Sequence, residues 1–134
     1  MSTVFSNPEG VATPAGPYSH VARIDLGSVA LLFISGQVGI GPDGNLVGKG
    51  DALAQAEQIH ENLRAILTAN GGTLRDIVKL TAFVTDIADR AKLVDLRKRD
   101  FPDDPPASTL VEVSKLASDD WLVEIEAVAV VRND

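Results

Sequence analysis

Cysteine is absent from this 134-residue chain. With it go disulfide staples, a thiol nucleophile and any thiolate metal site, and a reducing compartment fits that composition. Clustered basic charge is equally scarce. The formal net charge is -7, and the one basic cluster, Arg97-Lys98-Arg99, is flanked by acids, so the phosphate neutralisation that nucleic-acid binding needs has no footing. Only two histidines occur, His20 and His60, too distant in sequence for metal-ligand spacing. Long apolar runs are missing, and the opening residues lack a basic stretch leading into an apolar one. Neither a membrane span nor a secretory signal is expected, and a cytoplasmic location follows by default.

What is present is an ordinary globular composition at a length that suits one domain, residues 1–134. Residues 1–17 hold three prolines and two glycines and read as an extended N-terminal arm with little ladder pairing. Tyr18 to Ile24 and Val29 to Ser35 read as antiparallel strands joined by Asp25-Leu26-Gly27-Ser28. The second is apolar on both faces, with Val29, Leu31 and Phe33 on one and Ala30, Leu32 and Ile34 on the other, so both must be covered. Glycines between Gly36 and Gly44 mimic a phosphate loop. Pro42-Asp43-Gly44-Asn45 is a turn and not a helix start, however, so these read as turn and bulge glycines.

From Asp51 to Asn70, Leu53, Ala56, Ile59, Leu63, Ile66 and Leu67 recur at helical spacing, and Asn70-Gly71-Gly72 ends the helix. His60 lies in or beside that stripe and reads as a satisfied, partly buried histidine. Asp76 to Thr85 alternates as a strand, with Val78, Leu80, Ala82 and Val84 on one face. Thr85 or Asp86 caps a second helix, striped by Ile87, Ala91, Leu93 and Val94 and broken at Phe101-Pro102.

The last third, Pro106 to Val131, holds two alternating runs around Ala117-Ser118-Asp119-Asp120. An antiparallel hairpin is the expected connection, with the acid-bearing faces of Glu112, Glu124 and Glu126 on one side. The order of elements gives an α+β fold, a mixed sheet with two helices on one face. Its open face keeps enough apolar surface to predict a homo-oligomer. Ser35, Ser108, Glu124 and Glu126 would then lie in or near crevices between subunits, where small-molecule sites form.

Four segments carry a resemblance over nearly the whole chain: Ala15-Gly16-Pro17-Tyr18-Ser19, Phe33-Ile34-Ser35-Gly36-Gln37-Val38, Asp76 to Val84 (DIVKLTAFV) and Val123 to Ala129 (VEIEAVA). In that order they resemble the reactive-intermediate deaminase superfamily (RidA, YjgF). The resemblance implies a chorismate-mutase-like fold, a homotrimer with clefts between subunits, and hydrolysis of reactive enamines and imines such as 2-aminoacrylate, without cofactor or metal. It matches Tyr18 and Ser35 to pocket residues, Gly36 to a backbone position facing the ligand, and Glu124 to the glutamate linked to the reacting water.

One motif departs. The family's P-x-R, whose arginine grips a substrate carboxylate, reads Pro106-Ala107-Ser108 here, and the residue two positions on, commonly cysteine, is Leu110. Losing a charge-assisted hydrogen bond of about 1.5–3 kcal/mol weakens a carboxylate ligand on the order of tenfold to a hundredfold. Arg23, Lys79 and Arg90 are the candidates to replace it. Two readings stay open: an enzyme with Glu124 as general base, Glu126 being the other candidate carboxylate, or a non-catalytic trimer that binds or senses a small metabolite. Ser35 lacks a nucleophile elbow and an activating histidine. The acidic charge and the lack of a catalytic His or Lys pair count against a ribonuclease.

Overall fold

Residues 2–133, which the computed structural model describes, form six strands and two α-helices. The strands are β1 (Ser2–Ser6), β2 (Val21–Asp25), β3 (Val29–Gln37), β4 (Ile77–Val84), β5 (Ala107–Glu112) and β6 (Val123–Arg132), and the helices are α1 (Ala52–Ala69) and α2 (Arg90–Asp100). They make one mixed sheet in the order β1-β2-β3-β6-β4-β5. Only β4 and β5 run parallel, and the other neighbours are antiparallel. The result is an α+β fold with both helices against one face.

Alternation decides that face. Ala30, Leu32 and Ile34 of β3, Leu80, Ala82 and Val84 of β4, and Val123, Ile125, Ala127, Ala129 and Val131 of β6 are buried, as are Ala56, Ile59, Leu63, Ile66 and Leu67 of α1. Each large side chain so buried contributes about 1.5–3 kcal/mol. Asp51 caps α1 by accepting from the Ala54 amide, and the Asn70 amide closes the other end on the Leu67 and Thr68 carbonyls. His60 is 1% exposed, with Nδ1 2.6 Å from Asp100 Oδ2, which makes it a satisfied core histidine tying α1 to α2. Burial holds its imidazole below the ordinary value, against the opposing pull of Asp100.

Four expectations need correction. Ser2–Ser6, inside the arm, pairs with β2 as an edge strand; the first proline is Pro8, so nothing in those five residues blocks a ladder. In β4 a bulge between Ile77 and Lys79 turns Val78 outward, 47% exposed, and buries Ile77 instead. Of the two cap candidates Asp86 is the one used, but it starts a 3-10 turn at Ile87–Asp89 before α2 and not the helix itself. That turn changes the period, so Ile87 is exposed and the buried stripe is Leu93 and Leu96.

The fourth correction is the largest. β5 and β6 do not form a hairpin. β4 lies between them, paired in parallel with β5 and antiparallel with β6. Side-chain alternation reports which face a residue takes, but not which strand lies beside it. Here α2 serves as the crossover that a parallel β4–β5 pair requires. Consequently Glu112 aligns with Val84 on the helix side, where its carboxylate accepts from the Ile87 amide at 3.0 Å, while Glu124 and Glu126 align with Phe83 and Thr81 on the open side.

Candidate functional site

Near the C-terminal end of β3 the register with β6 slips, so that Ser35 and Gly36 together face Glu126. This bulge re-aims the strand, and Gly36 comes to lie against Glu124. A Cβ on Gly36 would stand 2.7 Å from Glu124 Oε2, so only glycine leaves room for the carboxylate in this position. Glu124 is half-buried, and among the described residues no side chain or amide is hydrogen-bonded to its carboxylate. Burial raises its pKa above the ordinary carboxylate value, and the charge of neighbouring Glu126 adds to the shift.

Glu124 lines a cavity of about 350 Å³ together with Tyr18, Gly36, Trp121 and the arm residues Val11 to Ala15. Several buried polar groups hold that wall in place. Gln37 Nε2 donates to His20 Nδ1 (3.1 Å), which leaves the proton on Nε2 to be donated to the Ala12 carbonyl (2.6 Å). His20 is thereby spent as a fastener for the arm. From α1, Asn62 Nδ2 donates to the Val38 and Ile40 carbonyls, while Gln55 donates to Gly48 and Asp120 and accepts from the Leu122 amide. Gly39 permits the close approach, since a Cβ there would meet Gln55 Cα at 2.9 Å.

The Ser35 hydroxyl donates to the Ser19 carbonyl at 2.7 Å, and its amide bonds the His20 carbonyl. Ser35 therefore braces the segment bearing Tyr18, which is 47% exposed with its ring edge-on to His20. Beside this cavity a shallow depression on the open face is lined by Phe5, Tyr18, Phe33, Ser35 and Glu126. Glu126 is exposed there, whereas Glu124 is the sheltered acid.

The sequence profile of the family described as Endoribonuclease L-PSP matches residues 10–131. The chain belongs to this family, the RidA/YjgF superfamily. A RutC family protein from Pyrococcus horikoshii is 41% identical over 121 residues, covering 90% of this chain and 92% of that protein. The 2-iminobutanoate/2-iminopropanoate deaminase of Salmonella typhimurium is 39% identical over 127 residues, covering 92% and 94%. Among solved structures, E. coli TdcF with bound serine superposes with a TM-score of 0.82 at 34% identity, covering 97% of this chain and 99% of that one.

Against that family background the six residues singled out in the sequence fall into two groups. Tyr18, Gly36 and Glu124 line the cavity, and Ser35 lies in the adjacent depression that Tyr18 shares. Ser108 and Leu110 do not join them. Ser108 aligns with Leu80 and Leu110 with Ala82, so both point to the helix side and line a separate cleft against α2. Of the candidates to replace the missing arginine, Arg23 is occupied by Asp25, the Asn70 carbonyl and Asn133, and Lys79 by Thr109. The side chain that reaches Ser108 is Arg97, whose Nη1 donates to Ser108 Oγ at 2.9 Å. Sequence reasoning passed over it inside a charged cluster. The signal was its spacing, since Arg90, Val94 and Arg97 share one face of α2.

Proposed function

We propose that the chain is a RidA-like enzyme that hydrolyses a small reactive enamine or imine in a cleft completed by a second copy. The observation that carries this reading is Glu124: sheltered, its carboxylate without a hydrogen-bond partner among the described residues, raised in pKa and set against a glycine at the wall of a cavity. A carboxyl group tuned upward exchanges protons effectively near neutral pH. An enamine that gains a proton at carbon and loses one from nitrogen becomes an imine. Glu124 then takes a proton from water as its oxygen adds to the C=N carbon, and returns that proton to nitrogen. The carbinolamine collapses to a carbonyl and ammonia, so one water is consumed for each ammonia released. Tyr18, Ser35 and the Gly36 backbone orient the ligand.

Relatives named 3-aminoacrylate deaminase RutC and 2-iminobutanoate/2-iminopropanoate deaminase support the reaction class. Exposed Phe5, Phe33 and Val111 on the open face support burial against further copies, as a homotrimer. The test is to incubate the purified protein with enzymatically generated 2-aminoacrylate and follow pyruvate and ammonia. Acceleration over buffer that disappears in Glu124→Gln is the expected result. Ligand binding without acceleration would favour a trimer that binds or senses a metabolite, the reading that Ser108 keeps open. Ribonuclease action has less support, given the net charge of -7 and the engagement of His20 and His60 in structural hydrogen bonds.

A further inference from the structure

The cleft between α2 and β5 gathers positive charge in an acidic protein. Arg90, Arg97 and Lys98 line a space of about 420 Å³ whose lining includes no acid. Among the described residues none of the three cations has a carboxylate within ion-pair distance. The neighbouring acids are engaged elsewhere: Asp89 with Lys92 at 3.0 Å, Asp100 with Arg99 at 2.9 Å and with His60, and Glu112 with the Ile87 amide. Asp86 caps the turn before α2, and Asp95 is exposed. Arg97 is the most sheltered of the three cations, and burial alone pulls its pKa below the ordinary value. A sheltered guanidinium with no counter-ion is an incomplete electrostatic arrangement.

Its geometry specifies what completes it. Of the five N–H donors of a guanidinium, the structure assigns one to Ser108 Oγ. The others can offer a carboxylate two parallel bonds. Accepting from Arg97 leaves the Ser108 hydroxyl proton free to donate to the same anion. Leu93, Val94 and Leu110 complete the lining with apolar surface, which suits a short carbon chain better than inorganic phosphate.

We propose that Arg97, positioned by Ser108, anchors the carboxylate of a small organic acid in this cleft. The identification of that acid with the substrate rests on the imine-hydrolysis reading, whereas the anion site does not. In an assembly that brings this cleft to the Glu124 cavity of a neighbouring copy, Arg97 restricts the enzyme to carboxylate-bearing imines.

The experiment titrates the full-length protein with pyruvate, with methyl pyruvate as the uncharged control, by calorimetry. Pyruvate should bind the parent and the ester should not. Arg97→Gln, which keeps a donor for Ser108 but no charge, should weaken pyruvate tenfold to a hundredfold; Arg97→Lys should fall between, and Ser108→Ala should lose several-fold. Melting curves accompany each variant. A lower melting temperature with unchanged pyruvate affinity makes Arg97 a brace between α2 and β5 and overturns the proposal, as does equal binding of the ester or no binding by the parent. Parallel turnover assays separate the two claims. Arg97-dependent pyruvate binding without turnover sinks the enzymatic reading alone, and turnover indifferent to Arg97 sinks the identification of the bound acid with the substrate.

Discussion

Gly36 leaves its side-chain space to the Glu124 carboxylate, and its backbone has no left-handed strain that alanine would aggravate. In Gly36→Ala the atoms that must yield are the far end of a flexible side chain. Melting temperature should therefore barely move while turnover falls at least tenfold, because proton transfer needs the carboxylate within hydrogen-bond reach of its target. Glu124 also carries a pH signature. The folded chain holds its proton more tightly than the unfolded chain, so folded molecules bind more protons between the two pKa values and stability declines as pH rises through that interval. Below the unfolded value of 4.5 the penalty is absent. Glu124→Gln should melt higher than the parent at about pH 8 and converge on it at about pH 4. Residue chemistry at this site was legible in part. Glutamates punctuating apolar strands drew attention to Glu124, but period two gives Glu124 and Glu126 the same face. Only the bulge at Ser35-Gly36 and the fold of the arm shelter one of them.

At the scale of elements, α1 is the scaffold on which the cavity hangs. Gln55 is fully buried and bonds three backbone groups from two separate segments, Gly48, Asp120 and Leu122. Gln55→Ala would strand those groups, and a loss on the order of 2–4 kcal/mol is expected in denaturant unfolding, with turnover reduced because Trp121 and the start of β6 lose their tether. The helix itself could be read from its stripe and its Asn70-Gly71-Gly72 stop, both of them local signals. Its buried polar residues could not, because Gln55 and Asn62 gain their partners only when loops 38–48 and 120–122 fold back on them. The same locality limit explains β5 and β6. Each was visible as a strand, yet the partner of β5 is fixed by the α2 crossover, and nothing within Pro106 to Val131 encodes β4 as the strand between them.

For the whole molecule, the sheet's open face is the surface on which the proposed homotrimer rests. Phe5, Phe33 and Val111 are 67%, 46% and 40% exposed on it, and light scattering should return three times the 14.1 kDa of one chain. The opposite placement of Ser108 and Glu124, one under α2 and the other on the open side, then has a genetic consequence. Each cleft of a cyclic trimer would draw its acid from one copy and its guanidinium from the next, so two defective alleles can complement each other. Glu124→Gln and Arg97→Gln proteins, assayed at substrate levels where each alone is strongly impaired, should regain about a quarter of parental activity when co-expressed in equal amounts, since every mixed trimer contains one junction where both intact residues meet. Sites confined to a single copy would recover nothing.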